Sequence, residues 1–570
     1  MKTGNRWVVK PRGEKEKIEH LSKQLNIHPI LANLLIQRGH DTFESAKDFF
    51  RPELEMLHDP FLMKDMDKAV ARINTAIGSK EKILVYGDYD VDGTTSVALV
   101  YTFLKARYPK VDFYIPDRYK EGYGISVKGI DWAADHKFSL IIALDCGIKS
   151  VDKIAYAQTK GVDFIICDHH RPGTELPDAV AVLDPKRSDC SYPYDELSGC
   201  GVGFKLIQAF SQKEGTPVQE LESYLDLVAV SIAADIVPIT GENRVLTYYG
   251  IKQLNAKPRP GIKAILDVSG GNRQMTVNDI VFTIAPRINA AGRIASGNQA
   301  VELLVSENEK EALEHAHEIN QKNSTRKDLN ESITKEALQI IEQDKSFGNK
   351  KSTVLYNPKW HKGVIGIVAS KLTDQFYKPT IIITRSNGVL SGSARSVKDF
   401  DIYNAIESCS DLLEQFGGHM YAAGLTLKEE NFEMFHDKFE KIVSNTIEER
   451  SLVREIEIDD VISLSEINMS FYNILKQFGP FGPGNMAPIF KSEDVYDHGN
   501  ARIVGNNHLK LSLIQGKNSR KVMESIGFQL GKYFSNVSKE DPFQVCYQIE
   551  ENTFNGRTSL QLNIKDMQFE

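Results

Sequence analysis

ILVYGDYDVDGTT, residues 83–95, decides how this chain is read. An apolar run ends at Gly87, and three carboxylates follow at alternating positions, Asp88, Asp90 and Asp92, before Gly93. The run reads as a buried strand and the polar stretch as the turn that leaves it. Acids this close repel one another, and a bound divalent cation supplies the reason to keep them together.

An EF-hand loop starting at Asp88 would need glutamate at its twelfth position, where Leu99 stands, and a helix rather than a strand before it. Asp90-Val91-Asp92-Gly93-Thr94 also fits the D-x-D-G-T pattern of haloacid-dehalogenase-type phosphatases, with Asp90 as nucleophile. The next strands argue against that. VDFYIPD (111–117), LIIALDCG (140–147), DFIICDHH (163–170) and AVAVLDP (179–185) alternate with helix-length segments, which implies βαβ units and a doubly wound parallel sheet. In such a sheet the carboxyl ends of the strands line one crevice. Asp88, Asp90, Asp92, Asp145, Asp168, His169 and His170 then face one place, and a lone-nucleophile phosphatase has no use for a histidine pair there. Oxygen and nitrogen ligands on adjacent strand ends suit Mn²⁺, Mg²⁺ or a similar ion. Asp235 stands in an apolar stretch, VAVSIAADIVPI (228–239). Capping a helix before Pro238 is its plain reading; beside the other acids a ligand role is preferred, because a lone buried carboxylate is costly.

The chain has 570 residues, a soft prior of three or four domains at about 150 residues each. With 41% hydrophobic residues it is not a disordered chain. Its formal charge of −8 carries no global nucleic-acid signature, although an acidic total can hide a basic groove. No run approaches the roughly 20 apolar residues of a membrane span, and the N-terminus lacks a signal peptide's apolar core, so a cytoplasmic protein is expected. Cys146, Cys167, Cys190, Cys200, Cys409 and Cys546 form no C-x-x-C pair and read as ordinary thiols. The expected organisation is a helical segment over 1–75, the catalytic α/β domain over 76–297 and a connecting helix or helix pair over 298–345. A second, smaller α/β domain follows over 346–450. Period-2 runs such as HLKLSLI and FQVCYQIE over 451–570 suggest a small β-barrel or sandwich.

Asp90-x-Asp92, Asp145, Asp168-His169-His170 and Asp235 resemble the four ordered motifs of the DHH phosphoesterase superfamily. GGHMYAAG (417–424) resembles the signature of its DHH-associated domain. From about residue 70 onward the chain further resembles the superfamily's bacterial single-strand-specific exonucleases. VYGDYDVDGTTS (85–96), PDRYKEGYG (116–124), APRINAAGR (285–293), WHKGVIGIVASKL (360–372), SGSAR (391–395) and FGPFGPGN (478–485) carry that likeness. The resemblance implies an exonuclease releasing nucleotides from the 5′ end of single-stranded DNA, in repair and recombination. It also implies two Mn²⁺ or Mg²⁺ ions, one activating water and one stabilising the leaving oxygen. Asp145 would lie between the ions, with Asp90, Asp92, His169 and Asp235 completing the shell. Asp88 would be a further ligand or an acceptor behind one. His170 would ligate or contact the leaving group, and Asp168 would orient a histidine or cap the next turn.

The same resemblance suggests that Arg118 and Arg395 grip a terminal phosphate, with Ser393 donating a hydrogen bond. Tyr123 would stack under a base, Arg287, Asn289 and Arg293 would line the strand's path, and His419 would touch substrate. Plainer roles stand beside these: an Arg118–Glu121 ion pair, core packing of Tyr123, and helix capping or lobe bridging at 287–293. In the C-terminal domain Arg502, Lys510, Lys517, Arg520, Lys521 and Lys532 face the single acid Glu524 across residues 501–532. On an OB-type barrel such an excess tracks a phosphate backbone. Single-stranded DNA is the expected partner of a monomer, with a single-strand-binding protein and a helicase implied by the family and no membrane. Two alternatives are a phosphodiesterase for short oligonucleotides or cyclic dinucleotides, and a non-catalytic replication scaffold. Chain length speaks against the first and the filled ligand positions against the second.

Overall fold

The computed structural model of the chain describes residues 4–569 except 272–273, 295, 387, 538–540 and 555. Its first element departs from the expected helical start. Residues Arg6–Val9 form a strand, β1, parallel to residues 455–458. The sequence RWVV is short and β-prone, and tertiary partners hold it: Trp7 Nε1 donates to Asp566 Oδ2 at 2.9 Å and Lys10 pairs with Asp459 at 3.1 Å. Helices then cover Lys15–Leu25, Pro29–Gln37, Phe43–Phe50 and Met66–Gly78, the third capped by Thr42 with Ser45 closing a capping box.

The chain divides into two units. One comprises Arg12–Asn323 and Asn468–Pro488; the other comprises Met1–Pro11, Ser324–Ile467 and Ile489–Glu570. The first is built on β2 (Lys82–Gly87), β3 (Val111–Tyr114), β4 (Phe138–Leu144), β5 (Asp163–Cys167) and β6 (Ala181–Leu183). They form one parallel sheet in the order β3-β2-β4-β5-β6. Ile83, Val85, Leu140, Ile142 and Leu144 enter the core on one face, and Leu84, Tyr86, Ile141, Ala143 and Phe164 enter that on the other. Burial on both faces is why these strands read as unbroken apolar runs. From β2 the chain steps to β3 on one side and then crosses to β4 on the other, so the switch point lies between β2 and β4. Gly87 pairs with Leu144 and Leu144 with Cys167, so Asp88, Asp145 and Asp168 leave the sheet side by side.

Helices Val91–Lys105, Gly199–Lys213 and Leu225–Asp235 pack together on one face of this sheet. Lys205 is wholly buried among them; its Nζ bonds Glu242 Oε1 at 2.6 Å, Gln208 Oε1 at 2.9 Å and the His58 carbonyl at 3.0 Å. Helices Asn298–Val305 and Glu309–Gln343 follow, and the boundary between the units falls inside the second.

In the other unit, β7 (Thr353–Tyr356), β8 (Thr380–Ser386), β9 (Val389–Arg395), β10 (Gln415–His419) and β11 (Ala422–Leu427) form a mixed sheet in the order β10-β11-β9-β8-β7. Helix Phe432–Thr446 covers the face of Ile381 and Ile383, and helix Ile365–Phe376 covers the face of Ile382. After β12 (Glu455–Ile458), the strand that pairs with β1, a seven-stranded sheet is made by β13 (Asp460–Val461), β14 (Phe490–Asp497), β15 (Arg502–Val504), β16 (His508–Gln515), β17 (Met523–Gly527), β18 (Phe543–Phe554) and β19 (Arg557–Phe569). β14 pairs with both β18 and β16, its register shifting between Ser492 and Val495, so the sheet curls into a partly closed ring. No helix among the described residues is long and apolar enough to cross a membrane.

Lys205→Ala is expected to destabilise the protein by about 3–5 kcal/mol, because Glu242 would keep a buried charge without its cation. The double substitution Lys205→Met, Glu242→Gln should recover most of the lost melting temperature. An equal deficit in the double variant would show that the charge pairing is not what the site depends on.

Candidate metal centre

Each acid of the 83–95 stretch is set by local structure. Asp90 caps helix Val91–Lys105, its Oδ1 accepting from Gly93 N–H at 3.0 Å. Gly93 is required: a Cβ there would stand 2.4 Å from the Asp88 carbonyl oxygen. Asp92, in the first turn, is buried and receives Gly199 N–H at 2.7 Å, Cys200 N–H at 2.8 Å and Ser231 Oγ at 2.7 Å. The N-terminus of helix Gly199–Lys213 therefore points at a carboxylate, the sign its dipole favours. Asp88 Oδ1 accepts from Gly124 N–H at 3.1 Å, while its Oδ2 is buried without a hydrogen-bond partner.

Asp145 follows β4 with φ +57°, a left-handed conformation that a non-glycine residue adopts at a cost. Gly199 makes room for it, since a Cβ there would lie 2.6 Å from Asp145 Cβ. His169 Nε2 stands 3.2 Å from Asp145 Oδ1, 3.6 Å from Asp235 Oδ2 and 3.7 Å from Asp92 Oδ2. Asp145 Oδ1 and both His169 ring nitrogens are buried without hydrogen-bond partners. Two donor groups result, Asp145–His169–His170 and Asp92–His169–Asp235, each with its ligand atoms within 4.8 Å of one another. Asp235 is the last residue of helix Leu225–Asp235, the dipole end where a carboxylate gains nothing as a cap. Its position is explained by what it faces.

The electrostatics agree. Burial drives the carboxyls of Asp88, Asp145 and Asp235 well above the usual range, and neighbouring acids push them further. Asp90 is raised for the same reasons, and burial lowers His169. Buried oxygens without donors, a histidine with two open nitrogens and a crowd of mutually repelling acids are the donor set of a divalent-ion site.

Asp168 behaves differently. Its Oδ1 accepts from the backbone N–H of His169 and His170 and lies 2.8 Å from His170 Nδ1, and its Oδ2 accepts from Ile148 N–H. Burial opposes its charge, yet the His170 bond and these donors bring it down to about 2. Burial likewise opposes a charged His170, but the Asp168 bond raises it to about 9. Asp168 thus orients His170, whose Nε2 lies 3.3 Å from the Tyr123 hydroxyl.

The alternative Arg118–Glu121 pair does not form among the described residues. Glu121 instead accepts from Tyr114, Ser126 and the Asp117 N–H, while the Arg118 guanidinium lies 5.0 Å from the Tyr89 ring centre. Tyr123 is half exposed rather than core. Arg287 is buried: Nη1 bonds the Thr283 carbonyl at 2.7 Å and Nε bonds Asn320 Oδ1 at 3.0 Å. Asn289 and Arg293 are half-buried on the helix Ala285–Ile294.

In the other unit Ser393 and Arg395 share one face of β9, and Arg395 Nη1 bonds Ser393 Oγ at 3.3 Å and the Ala394 carbonyl at 2.7 Å. Arg395 makes no ion pair among the described residues. Gly366, in the first turn of helix Ile365–Phe376, leaves the space that a Cβ would take 2.9 Å from Ser393 Oγ and 3.2 Å from Arg395 Nη2. His419 ends β10, exposed, opposite Ala422. Sequence reasoning missed Ser198, Gly199, Cys200, Ser231 and Gly366. The alternating glycines of SGCGVG (198–203) were the available signal for the first three.

A doubly wound sheet with this acid and histidine cluster at its switch point defines a DHH-type phosphoesterase domain. Residues 82–232 match the DHH family, N-terminal domain; 349–445 match the DHHA1 domain and 458–566 the RecJ OB domain. The single-stranded-DNA-specific exonuclease RecJ of Bacillus subtilis is 38% identical over 98% of this chain and 70% of its own length. That of Escherichia coli is 33% identical over 95% and 96%. The crystal structure of RecJ in complex with Mn²⁺ from Thermus thermophilus superimposes with a TM-score of 0.86 at 26% identity, over 100% of this chain and 80% of that one. The chain belongs to the RecJ family.

Metal-free, the raised carboxyls hold their protons more tightly folded than unfolded. Their contribution to stability is therefore present below about pH 4 and lost as pH rises through the raised values. Asp145→Asn should accordingly raise the melting temperature in EDTA at neutral pH and shrink the increase that Mn²⁺ produces. A lower melting temperature than wild type in EDTA would count against a repelling cluster.

Proposed function

We propose that this chain is a metal-dependent exonuclease that hydrolyses single-stranded DNA from the 5′ end, using Mn²⁺ or Mg²⁺. The observation that carries the reading is the convergence of Asp92, Asp145, His169 and Asp235, with unpartnered buried atoms on Asp145 and His169. Asp90, Asp92, Asp145, His169 and Asp235 would hold the ions, with Asp88 adding its open Oδ2. Bound there, divalent ions supply Lewis acidity, activating water near neutral pH and stabilising charge on the scissile phosphate.

The chain's own residues do the rest. Asp168 fixes the ring of His170 and presents its Nε2 at the cluster, where we assign it to the leaving oxygen. Arg118 and Tyr123 present a cation and an aromatic ring beside the acids for phosphate and base. Ser393 and Arg395, packed against Gly366 in the first turn of helix Ile365–Phe376, form a cradle for a phosphate, which we assign to the strand's 5′ end. His419, exposed at the end of β10, is assigned a contact to the same strand. Arg287 is left out of the contact set, because it is bonded within its own helix turn. On the OB domain Arg502 pairs in register with Lys510, and Phe528 is half exposed, cations and a stacking group suited to a single strand. A role in repair and recombination, a monomeric state, a cytoplasmic location, and cooperation with a single-strand-binding protein and a helicase are further parts of the reading, supported by family membership.

A single-stranded DNA labelled at one end should release mononucleotides from the 5′ terminus with Mn²⁺ or Mg²⁺ and none with EDTA. Release from the 3′ end, or cleavage in EDTA, would overturn the reading. Asp145→Ala should abolish hydrolysis with folding intact. Arg395→Ala should slow 5′-phosphorylated strands about tenfold more than 5′-hydroxyl strands, a charge-assisted contact's share; equal losses on both would remove the cradle's assignment.

A further inference from the structure

We propose that Phe282 is a base-stacking contact for the single strand, a few nucleotides from the metal centre. The proposal rests on the nuclease reading and adds a residue to it. Phe282 is 76% exposed, the most exposed large hydrophobic side chain among the described residues. A lone exposed aromatic is ordinary, so its setting has to carry the argument.

Phe282 sits at the centre of a π-turn, Ile280–Ile284, in which Ala285 N–H reaches back to the Ile280 carbonyl. The cause is in the sequence. Pro286 has no N–H to give the Phe282 carbonyl, so the regular ladder fails there. Arg287 Nη1 takes up the neighbouring Thr283 carbonyl. Such wide turns are costly and recur at functional sites. Here the turn keeps Ile280 and Ile284 in the core while Phe282 stands out in solvent.

The direction of the face is the second observation. Phe282, Pro286, Asn289 and Arg293 follow at spacings of four, three and four, which places them along one side of the helix. Each is at least partly exposed, whereas Ala285, Arg287, Ile288, Ala290 and Ala291 are buried. At its far end the helix meets the metal loop through buried Gly292. A Cβ on Gly292 would lie 2.4 Å from the Tyr89 carbonyl oxygen, and the Tyr119 hydroxyl donates to the Arg293 carbonyl. Eleven residues of helix span about 16 Å, so Phe282 is a few nucleotides beyond the acids. Residues 280–294 contain no acid that would repel a phosphate backbone along this face. Helix Leu225–Asp235, which ends in a proposed ligand, packs against the same turn and fixes the platform relative to the centre.

The test places a fluorescent base analogue at successive positions of a single-stranded oligonucleotide and binds it to the full chain in EDTA. Wild type should quench one position a few nucleotides from the 5′ end. Phe282→Ala and Phe282→Leu should lose that quench at unchanged melting temperature, and Phe282→Trp should keep it. With Mn²⁺, Phe282→Ala should raise KM about tenfold on long strands, within what base–aromatic stacking contributes, and leave the shortest cleavable oligonucleotide unaffected. Wild-type quenching in Phe282→Ala, or equal losses on short and long strands, would overturn the assignment. So would unchanged strand binding with loss of a concentration-dependent self-association, which would make the residue a contact between copies. If the wild-type chain binds and quenches as expected but cleaves no strand, the nuclease reading falls and the stacking contact stands.

Discussion

Mutual repulsion among buried carboxylates is the constraint around which this structure is arranged. Two unit charges 4 Å apart still cost about 4 kcal/mol at an effective dielectric of 20, and buried Asp92 and Asp145 are brought together with Asp90, Asp235 and His169. Several features of the first unit make that tolerable without an ion and favourable with one. The N-terminus of helix Gly199–Lys213 offers N–H groups to Asp92, Gly93 offers one to Asp90 and Gly124 one to Asp88. Gly199 leaves the volume that Asp145 fills. The donors satisfy one side of the cluster and leave Asp145 Oδ1, Asp88 Oδ2 and the His169 nitrogens open.

The paired histidines show how two adjacent residues of one type receive different chemistry. His169 is buried, lacks a donor or acceptor partner and is held toward its neutral form. His170 is tied to Asp168, whose carboxylate raises its pKa. A neutral imidazole suits an ion and a protonated one suits a leaving group. The difference comes from Asp168, whose own charge is secured by three backbone N–H groups and the His170 ring.

Several site residues were legible because their signal is local. A strand followed by alternating acids and a glycine, and two later strands ending in Asp145 and in Asp168-His169-His170, suffice to place those groups at one sheet end, since parallel strands share a direction. Residues whose role depends on a distant partner were not legible. Arg287, in the APRINAAGR segment, is bonded to the Thr283 carbonyl of a π-turn, which its neighbours in sequence do not announce. RWVV at the N-terminus lacks the length to declare itself a strand and becomes one only against residues 455–458. Ser231, in the middle of an apolar helix, has no pattern marking it as a donor to Asp92.

The sequence by itself determined the parallel sheet, the acids and histidines at its carboxyl end, and the later α/β and β-rich domains. Apolar periodicity and strand direction are properties of short stretches. Tertiary structure alone decided which oxygens stay open, which histidine is tied to a carboxylate, that Arg287 is bonded within the fold, and that Phe282 stands in solvent. Those outcomes depend on what a side chain meets across the fold, and no local pattern records that encounter.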